Sequence, residues 1–293
     1  LFFPQSGLEL NPVLPPLLSL MIATVTAPAG LSGAFLLLPF QVSVFGFNTP
    51  AVTATNHLYN LVAIPGGVFR YIREKRMLWP LTWIVVAGTL PGVFGGIYIR
   101  WKWLSNPKAF KIFIGFVLLY ICFRLIRDLF TRKIINPGKK PIDGSFYCQV
   151  KKNTFSELVF EFNSEEFKTK TVGIFVLSLI VGIIGGIYGI GGGAIISPFL
   201  VTYWRLPVYA VAGTAMMGTF VTSTAAVIGF AVFSVISHQS GVGPDWTLGI
   251  LFGLGGLAGT YAGAALQRFL PVRVIKIILI LCTGIPGLMY IMS

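Results

Sequence analysis

Two short runs interrupt long apolar stretches, Ala29-Gly30-Leu31-Ser32-Gly33 and Gly189-Ile190-Gly191-Gly192-Gly193. Without a Cβ, glycine lets backbone approach a ligand closely and permits positive φ. Ala194 to Leu200 is expected to begin a helix directly after the second run, so its free N–H groups and positive dipole end face the break. Converging backbone donors can hold an anion where water is scarce, with no formal cation. Gly30, Ser32, Gly33, Gly189, Gly191, Gly192 and Gly193 are therefore candidate substrate-binding positions. The competing reading is that small residues let helices pack closely, and it is the one adopted for Gly95-Gly96 and Gly253 to Gly256. The G-x-G-x-x-A spacing from Gly189 to Ala194 is not read as a dinucleotide fingerprint, which requires a soluble βαβ unit around it.

Hydroxyl and amide side chains follow each break. The first set is Thr53, Thr55, Asn56, His57 and Asn60, and the second is Thr214, Thr219, Thr222, Ser223 and Thr224. Such groups suit oxyanion recognition, and they equally suit hydrogen bonding between helices in a membrane. Thr55, Asn56, His57 and Thr214 join the candidate substrate site. Asn56 and His57 are the costliest of these to bury, whereas His238 falls at a helix end. All nine acidic residues fall in loops or at helix ends. A cation carrier or proton pump would usually bury a carboxylate, so an anion or a neutral solute is expected. The 22 basic residues are likewise assigned to the loops, which leaves no buried cation. Cys122, Cys148 and Cys282 have no metal-ligand or redox spacing, and no cofactor or metal is expected. The chain offers no buried Asp pair, no H-E-x-x-H and no evident Ser-His arrangement, so no enzymatic activity is expected.

The elements that carry these groups are written in the composition. The chain has 293 residues, 55% hydrophobic and 11% charged, with a mean hydropathy of +0.82, against about 25% charged in soluble domains. A lipid bilayer is the expected surroundings. The net charge of +13 is spread over loops and does not form the stripe of a nucleic-acid binder, so no nucleic-acid partner is expected. The first eleven residues have no basic n-region, and no cleaved signal segment is inferred from a chain that starts at Leu1. Apolar runs near 12–47, 50–69, 78–99, 109–127, 172–204, 208–237, 246–267 and 272–292 predict helices. The first and fifth are too long for one crossing. Broken by the glycine runs, each is either a re-entrant hairpin or two short spans.

A shift of 159 positions superposes Gly30, Gly33, Pro39, Phe40, Ala51, Val52 and Thr55 on Gly189, Gly192, Pro198, Phe199, Ala210, Val211 and Thr214. A shift of 164 pairs Gly92, Gly95 and Pro107 with Gly256, Gly259 and Pro271. Two copies are predicted, a first transmembrane repeat over 12–127 and a second over 171–293. Between them a polar linker loop, 128–170, is expected to carry a small hairpin of Ser145 to Val150 and Glu157 to Phe162 turning at Lys152-Asn153-Thr154. If the broken segments cross once, Lys and Arg divide 14 to 8 between the two sides; if they return to their starting side, the split is 18 to 4. The positive-inside rule favours the second arrangement. The expected fold is an all-α polytopic membrane protein of two inverted half-repeats. Each repeat has a glycine-broken first helix or re-entrant hairpin followed by three spanning helices. The expected location is the cell (plasma or inner) membrane, with the linker cytoplasmic and both termini outside.

Paired breaks, each followed five or six residues later by proline, and above all Gly189-Ile190-Gly191-Gly192-Gly193-Ala194-Ile195-Ile196-Ser197-Pro198, resemble the sulfite exporter TauE/SafE family of transporters. The likeness covers nearly the whole chain outside the linker. It implies transport of sulfite, a sulfonate or a related organosulfur anion, with substrate near the paired glycine motifs. The first copy departs from the pattern, with Ser32 and Ala34 where the second copy has Gly191 and Gly193, and Ser32 is expected to contribute a hydroxyl instead. A secondary carrier working by alternating access is the leading reading, with an anion channel as the alternative. The sequence leaves oligomeric state open, a homodimer included.

Overall fold

A computed structural model describes the chain except residues 30, 76, 131–147, 155–156, 163–164, 238–240, 267–271 and 293. Gly30, Arg76, the Lys139-Lys140-Pro141 run, Ser145, His238 and Arg268 thus lie outside the described residues. Among the described residues ten α-helices run in chain order: α1 Leu14–Thr26, α2 Ala34–Ser43, α3 Ala51–Arg73, α4 Trp79–Lys102, α5 Pro107–Phe130, α6 Thr171–Tyr188, α7 Gly193–Thr202, α8 Val208–Ser237, α9 Trp246–Leu266 and α10 Val272–Met292. A 3₁₀ turn, Ala27–Ala29, follows α1. Among the described residues five helices are long and apolar enough to cross a membrane, within α4, α5, α6, α8 and α9. The exposed side chains are themselves apolar, including Phe94, Phe116, Phe123, Ile180, Ile228, Val232 and Leu254, as lipid-facing positions require. Aromatic rings mark both ends of α4, with Trp79 and Trp83 stacked at 6.5 Å at one end and Tyr98 against Trp101 and Trp103 at the other. At about 1.5 Å per residue those girdles fit the two interfaces of a bilayer core roughly 30 Å thick.

Glycines set how the helices meet. A Cβ at Gly88 or Gly92 on α4 would collide with the Phe175 or Leu179 carbonyl oxygen on α6, and one at Gly96 would reach that of Ile183. On the other side of the molecule, Gly255, Gly259 and Gly263 on α9 stand in the same relation to the carbonyls of Pro16, Leu20 and Thr24 on α1. The second set of contacts repeats the first, with the carbonyls 159 positions apart and the glycines 167 apart. Packing therefore pairs Gly92 with Gly259, about one helical turn away from the pairing at a shift of 164. In both interfaces residue numbers rise together, so the helices run parallel. The central crossing differs: Gly67 meets Met216, Tyr71 meets Gly213, and His57 and Asn60 meet Ser223, so α3 and α8 run antiparallel. So do α5 and α10, where Gly115 meets Tyr290 and Cys122 meets Gly284. With α3 followed directly by α4, these directions make α2 and α7 turn back toward the ends from which α1 and α6 started.

The chain is not wholly helical. Strands β1 Phe2–Phe3 and β2 Leu8–Glu9 form a hairpin held by Asp245, whose Oδ2 accepts from the Gln5 and Ser6 backbone N–H groups at 3.2 and 3.3 Å. In the linker β3 Cys148–Asn153 pairs antiparallel with β4 Glu157–Phe162, with a bulge between Val150 and Lys152; Lys152 and Asn153, expected in the turn, pair with Val159 and Leu158 as part of the strand, so the turn lies further along the chain. A further strand, β5 Glu165–Lys170, extends this to a three-stranded sheet that ends directly on α6. Alternation points Leu158, Phe160 and Phe162 inward, and all three are buried. Lys151 bonds Glu161 at 2.9 Å and Glu166 at 3.1 Å, and these carboxylates hold its ammonium above the ordinary lysine range.

Candidate functional site

Helix α3 presents Thr53, Asn56, His57 and Asn60 at i, i+3, i+4 and i+7, one polar stripe along its N-terminal half, and all four are fully buried. That stripe lies between the two breaks. At its middle, Asn60 Nδ2 donates to Ser223 Oγ at 3.2 Å, and His57 Nδ1 lies 3.1 Å from the same hydroxyl. Ser32 Oγ donates to Asn60 Oδ1 at 2.7 Å and accepts from the Ala34 N–H at 3.2 Å, a local turn bond leading into α2. Asn56 Nδ2 donates to the Ala34 carbonyl at 2.9 Å. The first break is thereby joined to α8 through one asparagine and one serine. Asn56 Oδ1 and His57 Nε2 have no partner of hydrogen-bond geometry among the described residues, and the imidazole lies beside the Gly186 backbone. An amide oxygen without a partner in a low-dielectric interior is costly, so Asn56 Oδ1 is a group that water or a donor on a ligand could satisfy.

The second break closes on the same stripe. Gly189 and Gly191 have φ of +90° and +64°, a region L side chains avoid, which explains why the turn between α6 and α7 is built of glycine. A Cβ on Gly189 would lie 2.8 Å from the Thr53 carbonyl oxygen and 3.2 Å from Asn56 Cβ. On Gly191 it would meet Thr219 Cγ2 at 2.7 Å and Ser223 Oγ at 3.1 Å, and on Gly192 it would meet Thr89 Cγ2 at 2.6 Å. A Cβ on Gly193 would overlap the Ala215 carbonyl, and the Gly193 N–H donates to Thr219 Oγ1 at 2.9 Å. One donor of the α7 N-terminus is thus already satisfied by a hydroxyl. Gly33 faces the Tyr59 hydroxyl in the first break.

Of the candidate positions, Ser32, Asn56, His57, Gly189 and Gly191 come together around Ser223 and Asn60. Gly33, Gly192 and Gly193 lie one neighbour further out. Thr55 and Thr214 are elsewhere. Thr55 Oγ1 accepts from the Asp245 backbone N–H at 2.9 Å at the hairpin end, and Thr214 Oγ1 accepts from Thr82 Oγ1 at 3.1 Å near the α3–α4 turn. As counterparts on antiparallel helices, they are carried toward opposite ends of the molecule.

Two expectations need correction. A serine and a histidine do meet, Ser223 and His57, because α8 crosses α3 there, which no linear spacing encodes. A hydrolytic triad would need an acid on the imidazole, and His57 has none among the described hydrogen bonds and ion pairs. The second concerns basic residues, which are not all in loops. Arg100 on α4 is entirely buried, and its Nε donates to Thr53 Oγ1 at 3.1 Å. A signal for it was available, since Arg100 continues the four-residue spacing of Gly88, Gly92 and Gly96 on the face that packs against α6.

The family model described as sulfite exporter TauE/SafE matches residues 16–290. The chain is 26% identical over 271 residues to a protein of Bacillus subtilis (strain 168) named "Probable membrane transporter protein YunE", covering 89% of this chain and 90% of that one. It is 22% identical over 260 residues to "Probable membrane transporter protein YjnA" of the same organism, covering 87% and 90%. No solved structure matches the chain.

Proposed function

The chain belongs to the sulfite exporter TauE/SafE family, and from that premise we propose that it is a secondary carrier moving a small sulfur-containing anion, sulfite, a sulfonate or a related organosulfur compound, across the cell membrane by alternating access. The observation that carries this reading is the buried stripe of Thr53, Asn56, His57 and Asn60, which links both breaks through Ser32 and Ser223. It offers hydroxyl and amide groups of the kind an oxyanion uses, with no carboxylate among its described hydrogen-bond partners to repel one. The breaks are packed against α3, α4 and α8 at every glycine of the second run, so a ligand enters only when helices part. That supports a carrier with an occluded state over a permanently open pore.

The proposed architecture is two inverted copies. Antiparallel crossing of counterpart helices, α3 on α8 and α5 on α10, is what a twofold axis in the membrane plane produces, whereas parallel copies would keep counterparts parallel. The reciprocal α4–α6 and α9–α1 interfaces support the same axis, and so does the return of α2 and α7 toward their starting ends. On this reading the sheet end, with Arg70, Arg73 and Lys75, is cytoplasmic. The purified full chain in detergent should be stabilised by sulfite or an alkanesulfonate more than by phosphate in a thermal-shift series. In liposomes it should show saturable uptake and counterflow of the stabilising anion. Flux linear in concentration, without counterflow, would replace the carrier with a channel.

A further inference from the structure

Resting on that anion-carrier reading, we infer that Arg100 and Thr53 form the subsite that recognises the anion's charged head, and that this subsite selects a monovalent oxyanion. Arg100 has no exposed surface. Its guanidinium donates from Nε to Thr53 Oγ1 at 3.1 Å, from Nη2 to the Thr49 carbonyl at 3.5 Å, and from Nη1 to the Leu104 carbonyl. Its central carbon stands 3.7 Å from the centroid of the Phe110 ring. Every one of these partners is neutral. The ion pairs of Arg70, Lys151, Lys152 and Lys168 do not reach Arg100. A buried cation without a counter-ion is costly, and a small anion is what relieves that cost. Guanidinium has five N–H donors in a planar fork suited to an oxyanion, and three hydrogen bonds do not exhaust them.

Position ties the charge to the breaks. Thr53 Oγ1 donates to the Ile187 carbonyl at 3.2 Å, two residues before Gly189, whose missing side chain leaves room for the Thr53 backbone. Arg100 therefore stands at the outer end of the polar stripe, one side chain from the second break. The stripe also breaks the molecule's internal likeness. At the 159-position offset, Thr53, Asn56, His57 and Asn60 correspond to Ala212, Ala215, Met216 and Thr219, and at the 167-position offset of the packed glycines Arg100 corresponds to Gln267. At these offsets Arg100, Asn56 and His57 have no counterpart of the same type, so the anion's head is held from the α4 C-terminal end. One uncompensated positive charge is neutralised by one negative charge. A dianion would leave a net negative charge in the same low-dielectric site, and sulfonate or hydrogensulfite is favoured over sulfate.

The test uses the full-length chain in detergent, with ethanesulfonate and sulfate as probes at equal ionic strength. The wild type should bind ethanesulfonate at least about ten-fold more tightly than sulfate, and Arg100→Gln should weaken ethanesulfonate binding by about ten-fold or more. Arg100→Lys should retain the preference for the monoanion with reduced affinity, and Thr53→Val should weaken binding by roughly three- to ten-fold. If Arg100 only clamped α4 to α3, Arg100→Gln would lower the melting temperature and leave affinity and preference unchanged. Should Arg100→Gln fail to fold, Thr53→Val and the wild-type preference decide: unchanged Thr53→Val affinity, or sulfate bound as tightly as ethanesulfonate, overturns the subsite. A folded Arg100→Gln protein with wild-type affinity removes Arg100 alone and leaves the anion carrier standing. Wild-type protein that binds neither probe, nor sulfite, removes both.

Discussion

Glycines that look alike in sequence have different physical tasks. Gly189 and Gly191 occupy positive φ, so alanine there meets backbone strain of about 1–2 kcal/mol before any contact is counted. Gly192 has φ −71°, which alanine adopts freely, and its added methyl would press on the Thr89 side chain, on Cγ2 at 2.6 Å and less closely on Cβ at 3.3 Å. Gly192→Ala should therefore fold, with a melting temperature lowered by a few degrees at about 1 kcal/mol of overpacking, while anion affinity falls by about ten-fold or more. Adding Thr89→Ala should restore the melting temperature without restoring affinity. Wild-type affinity in folded Gly192→Ala protein would make Gly192 a packing residue and remove it from the site. The Ser223 hydroxyl is shared by His57 and Asn60, so Ser223→Ala would strand two buried polar groups. A loss of about 1–3 kcal/mol is expected in chemical denaturation, against a few tenths for Thr224→Ala, whose hydroxyl bonds only its own helix.

At the scale of elements, helix pairing rests on backbone-to-backbone approach. On α4, Gly92 faces the Leu179 carbonyl of α6 with no room for a methyl, whereas Gly95 has only Ile183 Cγ1 at 3.8 Å. Gly92→Ala should cost about 1–3 kcal/mol through helix displacement. Gly95→Ala should be neutral or gain up to about 1 kcal/mol from helix propensity. Melting temperatures of the two variants in the same detergent make the comparison, and equal losses would refute the packed ridge. The same ridge leads to Arg100, so the small residues that draw α4 onto α6 also bring the guanidinium beside Thr53. Helix α3 is the least apolar of the long helices because its stripe is polar, and it falls outside the five spans for that reason. Burial between α8 and the two breaks is what makes such a face tolerable in a membrane protein.

For the whole molecule, the directions of the helices make a topological prediction. On a cysteine-free background, Arg73→Cys and Tyr203→Cys should react with an impermeant thiol reagent from the same side of the membrane, and Ser105→Cys and Trp246→Cys from the other. Tyr203 reports the return of α7 and is largely exposed. Labelling of Arg73→Cys and Ser105→Cys from one side would sink the inverted arrangement. Opposite sides for Arg73→Cys and Tyr203→Cys would mean that the second broken segment crosses.

Membership in a family of membrane transporters was legible in the chain itself. Mean hydropathy, charge confined mostly to connections, and a glycine motif repeated 159 positions on are local or periodic properties, and helices in lipid obey them because every backbone polar group must be satisfied within its own segment. The polar residues of α3 were legible for the same reason, since i, i+3, i+4, i+7 is a property of one helix. Which residues they would meet was not. Ser223 reaches His57 and Asn60, and Arg100 reaches Thr53, only through the rotation and crossing of helices far apart in sequence. The offset of 164 between α4 and α9 matched glycines by letter, whereas packing against carbonyls set it at 167. Thr55 and Thr214 look equivalent in the alignment of the two copies, yet antiparallel crossing sends them to opposite ends. Local sequence carries span, break and stripe because those depend on neighbours within a turn or two. The meeting of Arg100, Thr53 and the second break depends on close backbone approach between three helices, and that was decided by tertiary packing alone.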